Sequence, residues 1–127
     1  MADAAENKKR VLEFCRMLFE PGRAQEATDT YLSPAYVQHN PGVEDGPGPL
    51  AQFAAGMVAT FPEVRWELQR AIAEDDLVAV HWHMTTGPQD RGTAVVEIFR
   101  LLDGLVVEHW DVMQPVPDTS ANDHPMF

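Results

Sequence analysis

The short connections of the C-terminal half constrain the fold more than any other feature of the sequence. After Pro62, apolar side chains recur with a period of two, which predicts β-strands. We place the strands at Val64–Ala73, Leu77–Thr86, Gly92–Leu102 and Leu105–Gln114, joined by three, five and two residues. A parallel crossover needs about a dozen residues or more, so these strands must run antiparallel. The last connection, Asp103-Gly104, is typical of a two-residue hairpin turn.

The N-terminal half has the spacing of helices instead. The apolar stripe from Asp3 to Glu20 predicts a first helix, which Pro21-Gly22 ends. A second helix spans Arg23 to Leu32, and an extended piece covers Tyr36 to Pro41. After a loop rich in glycine and proline, a third helix has its stripe at Leu50, Phe53, Ala54, Met57, Val58 and Phe61. The fold class is therefore α+β, with three N-terminal helices packed on an antiparallel sheet of four or more strands.

Composition excludes several classes of function. We expect one domain over residues 1–127, with 115–127 as a C-terminal tail or arm. The net charge of −11 argues against nucleic acid and against an anionic membrane surface as partners. The single cysteine, Cys15, excludes an internal disulfide. A polar N-terminus without a long apolar run predicts a cytoplasmic protein.

The last strand carries the first candidate residues for chemistry. Over Val106 to Gln114, strand alternation places His109 and Asp111 on one face. Alternation along the neighbouring strands adds His81, His83 and Glu97 to this face, and we expect the helices to roof it and enclose a pocket. The opposite face carries Trp82, Trp110, Val80, Ile98 and Val112. It is too apolar to leave exposed, which predicts a homodimer through this face.

Asp111 is the candidate general base. A carboxylate among apolar neighbours is costly unless it is paired or functional. Abstraction of a proton next to a carbonyl needs such a base together with a donor for the enolate oxygen, and His109 could donate. Two other interpretations stay open. His109 and Asp111 could merely satisfy each other's hydrogen-bonding groups, or the pocket could belong to a non-catalytic protein that binds a small apolar ligand.

A metal site is the minority interpretation. His81 and His83, with His39 and Glu97 in reach, could form a site of two histidines and one carboxylate. His-x-His alone is weak evidence for ligation. We therefore predict a protein without metal or other cofactor.

Several segments in this order resemble a known family. They are Tyr-Val-Gln-His-Asn-Pro, a His-x-His strand, a Glu-Ile-Phe-Arg strand and a closing Glu-His-Trp-Asp-Val strand. Together with the helical N-terminal half, they resemble the SnoaL-like polyketide cyclases of the nuclear transport factor 2-like superfamily. The resemblance implies a conical α+β barrel with a deep pocket, dimerised through the curved sheet.

The resemblance also implies a reaction and a set of residues. In such cyclases an aspartate on the last strand is the acid/base for an intramolecular aldol condensation, without cofactor, and Asp111 matches it. His109 and His39 are the other predicted catalytic residues. The predicted substrate-binding residues are Asn40, Tyr36, His81, His83, Glu97 and Phe99. The substrate would be a small carbonyl compound, and a related hydrolase, dehydratase or isomerase is the alternative on this scaffold.

Overall fold

The computed structural model describes residues 3–127, which form three helices and five strands. In chain order these are α1 (Ala4–Leu18), α2 (Ala24–Tyr31), β1 (Leu32–Gln38), α3 (Pro47–Thr60), β2 (Arg65–Glu74), β3 (Leu77–Thr85), β4 (Thr93–Leu102) and β5 (Leu105–Pro115). The predicted α+β class, with three helices packed on a sheet, is confirmed.

The sheet has five strands, within the predicted four or more, and β1 makes it mixed where an antiparallel sheet was expected. The order is β1-β5-β4-β3-β2, with β1 parallel to β5 and all other pairs antiparallel. The sheet is therefore mixed. It is also open, because β1 and β2 are its two edges and do not pair with each other. β1 starts directly after α2 and runs through Pro34, which an edge strand tolerates.

The helices cover one face of this sheet because their apolar stripes require it. The side chain of Asp3 caps α1 by accepting a hydrogen bond from the backbone N–H of Glu6. The stripe of α1 is buried, and Phe14 meets Phe99 of β4 edge-to-face at 6.3 Å between ring centroids. This layer of helix on sheet forms the core and leaves the opposite, outer face of the sheet uncovered by helices.

The assignment of His81 and His83 to the helix-covered face is wrong. Val80 pairs with Glu97 and Trp82 with Val95, and directly paired residues point to the same side of a sheet. The inward residues of β3 are consequently Val78, Val80, Trp82 and Met84, all buried, while His81 and His83 point outward. A change of one residue in register inverts every side chain of a strand.

Strand alternation correctly predicts which side chains of β5 face the helices around His109 and Asp111. Glu97 pairs with Asp111, and Phe99 pairs with His109, so all four side chains lie under the helices. A bulge near Arg100 shifts the register beyond this point. Trp110 points outward as predicted, whereas the prediction that Trp82 faces a partner is wrong.

The C-terminal tail returns to the outer face. Phe127 stacks on His83 with ring centroids 4.0 Å apart, and it also lies over His81 at 5.9 Å. The tail therefore covers the β3 side of this face. Apolar residues of β4 and β5 stay exposed beside it, among them Val96, Ile98 and Val112.

No helix within residues 3–127 combines the length and the apolar character needed to cross a membrane.

Candidate active site

A cavity of about 120 Å³ lies between the helices and the inward face of the sheet. Its walls are mostly apolar, with a single polar wall formed by β1, β4 and β5. The apolar lining comprises Phe14, Cys15, Leu18, Phe19, Val43, Leu50, Phe53, Met57, Trp66, Met84, Phe99 and Met113. The polar lining comprises Tyr36, Gln38, Asn40, Glu97, His109 and Asp111.

Three titratable side chains meet on the polar wall. His109 Nε2 lies 3.2 Å from Glu97 Oε1 and 4.0 Å from Asp111 Oδ2. The side chains of His109, Asp111 and Glu97 are only 6, 8 and 16% exposed. The register of β4 against β5 produces this meeting, since Glu97 and Asp111 are direct partners across the strands. Glu97 Oε2 also accepts a hydrogen bond from the indole N–H of Trp82 at 2.8 Å.

Asp111 is held by an amide whose orientation the backbone fixes. The Oδ1 atom of Asn40 accepts the backbone N–H of Gly42 at 2.8 Å, so its Nδ2 must face the other way. That nitrogen donates to both oxygens of Asp111, at 3.1 and 2.9 Å. Each carboxylate oxygen keeps a second lone pair for another hydrogen bond.

Gln38 is a pocket residue that the sequence reasoning missed. Its Oε1 lies 2.7 Å from His109 Nδ1, and its Nε2 donates to Tyr36 Oη at 2.9 Å. Period-two alternation along the predicted extended piece from Tyr36 to Pro41 was the available signal, because it places Tyr36, Gln38 and Asn40 on one face and His39 on the other.

The prediction that His39 lies in the pocket is therefore wrong. Its ring stacks on outward-facing Trp110 with centroids 4.9 Å apart, and its Nε2 lies 2.7 Å from Glu108 Oε2. Arg100 Nε donates to the other oxygen of Glu108 at 2.9 Å. The hydrogen bonds from His39 and then Arg100 hold the pKa of Glu108 below its usual value.

His81 and His83 lie outside the pocket as well. His81 contacts Arg70 on β2, and its pKa is lowered by burial and then by the charge of Arg70. His83 Nε2 donates to the backbone carbonyl of Arg91 at 2.9 Å. Both rings serve as a platform for Phe127 instead of binding a substrate in the cavity.

Tyr36 and Cys15 border the polar wall in their neutral forms. Burial, followed by the charge of Glu97, raises the pKa of the buried Tyr36 hydroxyl. Burial and then Glu97 also raise the pKa of the Cys15 thiol. Tyr36 is therefore a hydroxyl donor and Cys15 an unreactive thiol.

A metal could be held by Glu97, His109 and Asp111, whose ligand atoms lie within 4.8 Å of one another. The ligand set considered from the sequence, with His39, His81 and His83, is not brought together, because all three point outward. Within the cluster, hydrogen bonds to Gln38, Trp82 and Asn40 orient every side chain without an ion.

The arrangement suits transfer of a proton to or from a small molecule. Asp111 borders the cavity with free lone pairs. His109 Nε2 lies 4.0 Å from it, and Glu97 lies within 4.8 Å of it on the same wall. Low exposure strengthens each electrostatic interaction in this position.

Comparison with known proteins gives a family and a fold. A model of the SnoaL-like domain matches residues 9–109. No curated protein matches the sequence.

Solved structures with the same fold cover most of the chain. TsrD from Streptomyces laurentii has a TM-score of 0.72 at 22% identity, over 89% of this chain and 91% of its own. AclR from Streptomyces galilaeus, a candidate hydroxylase, has a TM-score of 0.70 at 25% identity, over 88 and 91%. A candidate polyketide cyclase from Acidithiobacillus ferrooxidans has a TM-score of 0.69 at 18% identity, over 89 and 91%. The names of these structures therefore describe different chemistries on the same fold.

Proposed function

The chain belongs to the SnoaL-like domain family, and on that premise we propose that it is a cofactor-free acid–base enzyme acting on a small carbonyl compound. The observation that carries the proposal is the position of Asp111. Its carboxylate is 8% exposed, borders an apolar cavity and is aimed by Asn40. The names of the candidate cyclase and hydroxylase relatives agree with small-molecule chemistry in such a cavity.

The proposed step moves one proton and one electron pair. Asp111 takes the proton from the carbon next to the carbonyl, and the C–H electron pair forms the enolate. The developing negative charge on the oxygen is stabilised by donors on the same wall, from Tyr36 and from the pair of His109 and Glu97. In an aldol condensation the enolate carbon then attacks a second carbonyl of the same molecule, and the wall returns a proton to the new alkoxide.

Tyr36 supports this role through its hydrogen bond to Gln38. Gln38 Nε2 donates to Tyr36 Oη, so the proton of the hydroxyl itself stays available. Within residues 3–127, no protein acceptor for that proton is found. A carbonyl oxygen in the cavity would provide one.

The volume of the cavity also limits the size of the substrate. A volume of about 120 Å³ is close to the roughly 150 Å³ of an engineered apolar cavity that holds benzene. We therefore propose a carbonyl compound of about one ring, bound through its apolar face against the aromatic and methionine side chains of the lining.

The second part of the proposal is assembly. The outer face keeps Val96, Ile98 and Val112 exposed next to Trp110, which is a large apolar patch for a single chain. We propose that a second copy covers this patch in a homodimer, with the two pockets facing away from the contact.

Exchange of a ketone's hydrogens for deuterium tests the enzyme directly. Cyclohexanone, a ketone of one ring, is incubated with the protein in D₂O, and the loss of its α-proton signals is followed by NMR. The wild type should accelerate the exchange, and Asp111→Asn should lose about 10²-fold or more of this rate, as expected for removal of a general base.

The matched control is Asp29→Asn, which changes an exposed carboxylate on α2 and should keep the wild-type rate. If wild-type protein and Asp111→Asn bind cyclohexanone equally well and neither accelerates exchange, the protein is a non-catalytic carrier. Mass spectrometry of any copurified ligand then identifies the molecule that the cavity selects.

A further inference from the structure

Both ring nitrogens of His109 have protein partners, and these partners differ in kind. Nδ1 lies 2.7 Å from Gln38 Oε1, and Nε2 lies 3.2 Å from Glu97 Oε1. Because His109 as a whole residue is only 5% exposed, these contacts decide where the protons of its ring sit.

The amide of Gln38 can be oriented without ambiguity. The backbone N–H of Asn40 donates to Gln38 Oε1 at 3.1 Å, and a backbone N–H can only donate. The amide oxygen of Gln38 therefore faces Asn40 and His109, and its Nε2 atom donates to Tyr36. His109 Nδ1 faces an oxygen that can only accept, so this nitrogen must carry a proton.

Gln38 cannot easily turn away from this position. Its backbone N–H donates to Asp45 Oδ1 at 2.8 Å, and the next N–H, of His39, donates to the carbonyl of His109 at 3.0 Å. The N–H of Gly46 closes the loop onto the carbonyl of Tyr36, also at 3.0 Å. The end of β1 is thus tied to β5 and to its own loop on both sides of the amide.

A proton at Nδ1 has a consequence for the other nitrogen. Nε2 and Glu97 Oε1 can form a hydrogen bond only if exactly one proton lies between them, either as imidazolium with carboxylate or as neutral imidazole with carboxylic acid. We infer that Gln38 is a positioning residue, which keeps one proton at Nδ1 so that the proton shared by His109 Nε2 and Glu97 is the one exchanged with the ligand.

The charged surroundings of His109 fit a shared proton. From β4 it faces Glu97, from β5 Asp111, from β1 the hydroxyl of Tyr36 and from α1 the thiol of Cys15, the last two of which border the same cavity. No lysine or arginine within residues 3–127 bonds to either carboxylate. A proton is consequently the only positive charge that these residues supply to this wall.

The use made of the shared proton rests on the proposed function, whereas the position of the Nδ1 proton does not. The test is therefore made on the ring itself, by ¹⁵N NMR of protein labelled at its five histidines. The His109 signals are identified as those absent from His109→Gln. Chemical shifts of the two ring nitrogens then distinguish a protonated from a bare nitrogen at each pH.

In the wild type, Nδ1 should stay protonated at every pH at which the protein is folded, and only Nε2 should change. Gln38→Leu removes the acceptor, so at the alkaline limit of the folded range the Nδ1 proton should be lost and the remaining proton should sit at Nε2, opposite Glu97. Gln38→Glu keeps an acceptor at the same place and should restore the protonated Nδ1. Circular dichroism checks that each variant is folded.

Two results would overturn the inference: a wild-type ring that is bare at Nδ1, or a Gln38→Leu ring indistinguishable from wild type at the alkaline limit. The ketone exchange assay separates this outcome from the fate of the proposed function. Gln38→Leu should lose on the order of tenfold or more of the exchange rate, part of the 10²–10⁴ that acid–base groups contribute. If Nδ1 is protonated but the protein does not accelerate ketone exchange, the proposed enzyme activity is refuted, whereas the inferred position of the proton at Nδ1 still holds.

Discussion

Each face of the sheet carries a histidine paired with a glutamate, and the two pairs differ in their surroundings. On the inward face, His109 and Glu97 are 3.2 Å apart and 6 and 16% exposed. On the outer face, His39 and Glu108 are closer, at 2.7 Å, but 42 and 20% exposed. The shorter contact is thus the one that water screens, so distance alone does not rank the two pairs for function.

The second partner of each glutamate adds to the difference between the two pairs. Glu108 also binds Arg100, a permanent cation that neutralises it whatever the state of His39. Glu97 also binds Trp82, which donates a hydrogen bond but carries no charge. The inward pair has no permanent cation beside it. In the proposed function the proton shared by His109 and Glu97 is therefore the charge that can be given to a ligand, whereas an arginine's charge cannot be given.

The largest expected effect comes from exchanging the two glutamates for glutamine. Glu97→Gln keeps the shape and the acceptor for Trp82, but it removes one holder of the shared proton. We expect the ketone exchange rate to fall about 10²-fold. Glu108→Gln, the matched change on the outer face, should stay within about twofold of wild type.

Equal losses in the two glutamine variants would contradict the contrast between the faces. So would a Glu97→Gln protein with the wild-type rate. Thermal melting of both proteins checks that neither effect reflects unfolding.

An intermediate effect is expected at the outer face, from Val112→Asp. Val112 is 73% exposed in the single chain and pairs with Val96, inside the patch assigned to the dimer contact. A carboxylate buried there without a partner should weaken dimerisation about tenfold or more. Sedimentation at micromolar concentration should show a dimer for the wild type and monomer for the variant.

Phe61→Asp is the control for this experiment, since Phe61 is also exposed but follows α3, away from the sheet. It should sediment like the wild type. A wild-type protein that sediments only as monomer would remove the dimer from the proposal.

Local signals predicted the elements of this fold well. Pro21-Gly22 ends α1 near the predicted place, and Asp103-Gly104 forms the predicted turn, with φ of 52 and 82°. The alternation of β5 placed His109 and Asp111 together because it depends on one strand only.

Relations between strands were harder to predict. Whether His81 or Trp82 faces the helices depends on the register of β3 against β4, which is set by the connection between them and not by the alternation of either strand. The larger apolar side chains of Val78, Val80 and Trp82 were the clue to the correct face. The parallel pairing of β1 with β5 joins residues far apart in sequence, so nothing local indicated that Gln38 reaches His109.

The smallest expected effect is a pH dependence of stability at the outer pair. Hydrogen bonds from His39 and then Arg100 hold the pKa of Glu108 below its usual value in the folded protein. A carboxylate with a lowered folded pKa contributes stability above its unfolded pKa, and this contribution is lost as the pH falls through the folded value. The free energy of unfolding of wild type should therefore exceed that of Glu108→Gln at pH 6, and the difference should shrink below about pH 4.5.

Because His39 and Arg100 are each more than a third exposed, the difference at pH 6 should be under about 1 kcal/mol. Urea denaturation over a series of pH values measures it, and high salt should reduce it further by screening. Glu44→Gln, which changes an exposed loop carboxylate, is the control and should track the wild type. A difference that grows on acidification would show that His39 and Arg100 do not stabilise the ionised Glu108, and the outer pair would then no longer be the charge-neutralised counterpart of His109 and Glu97.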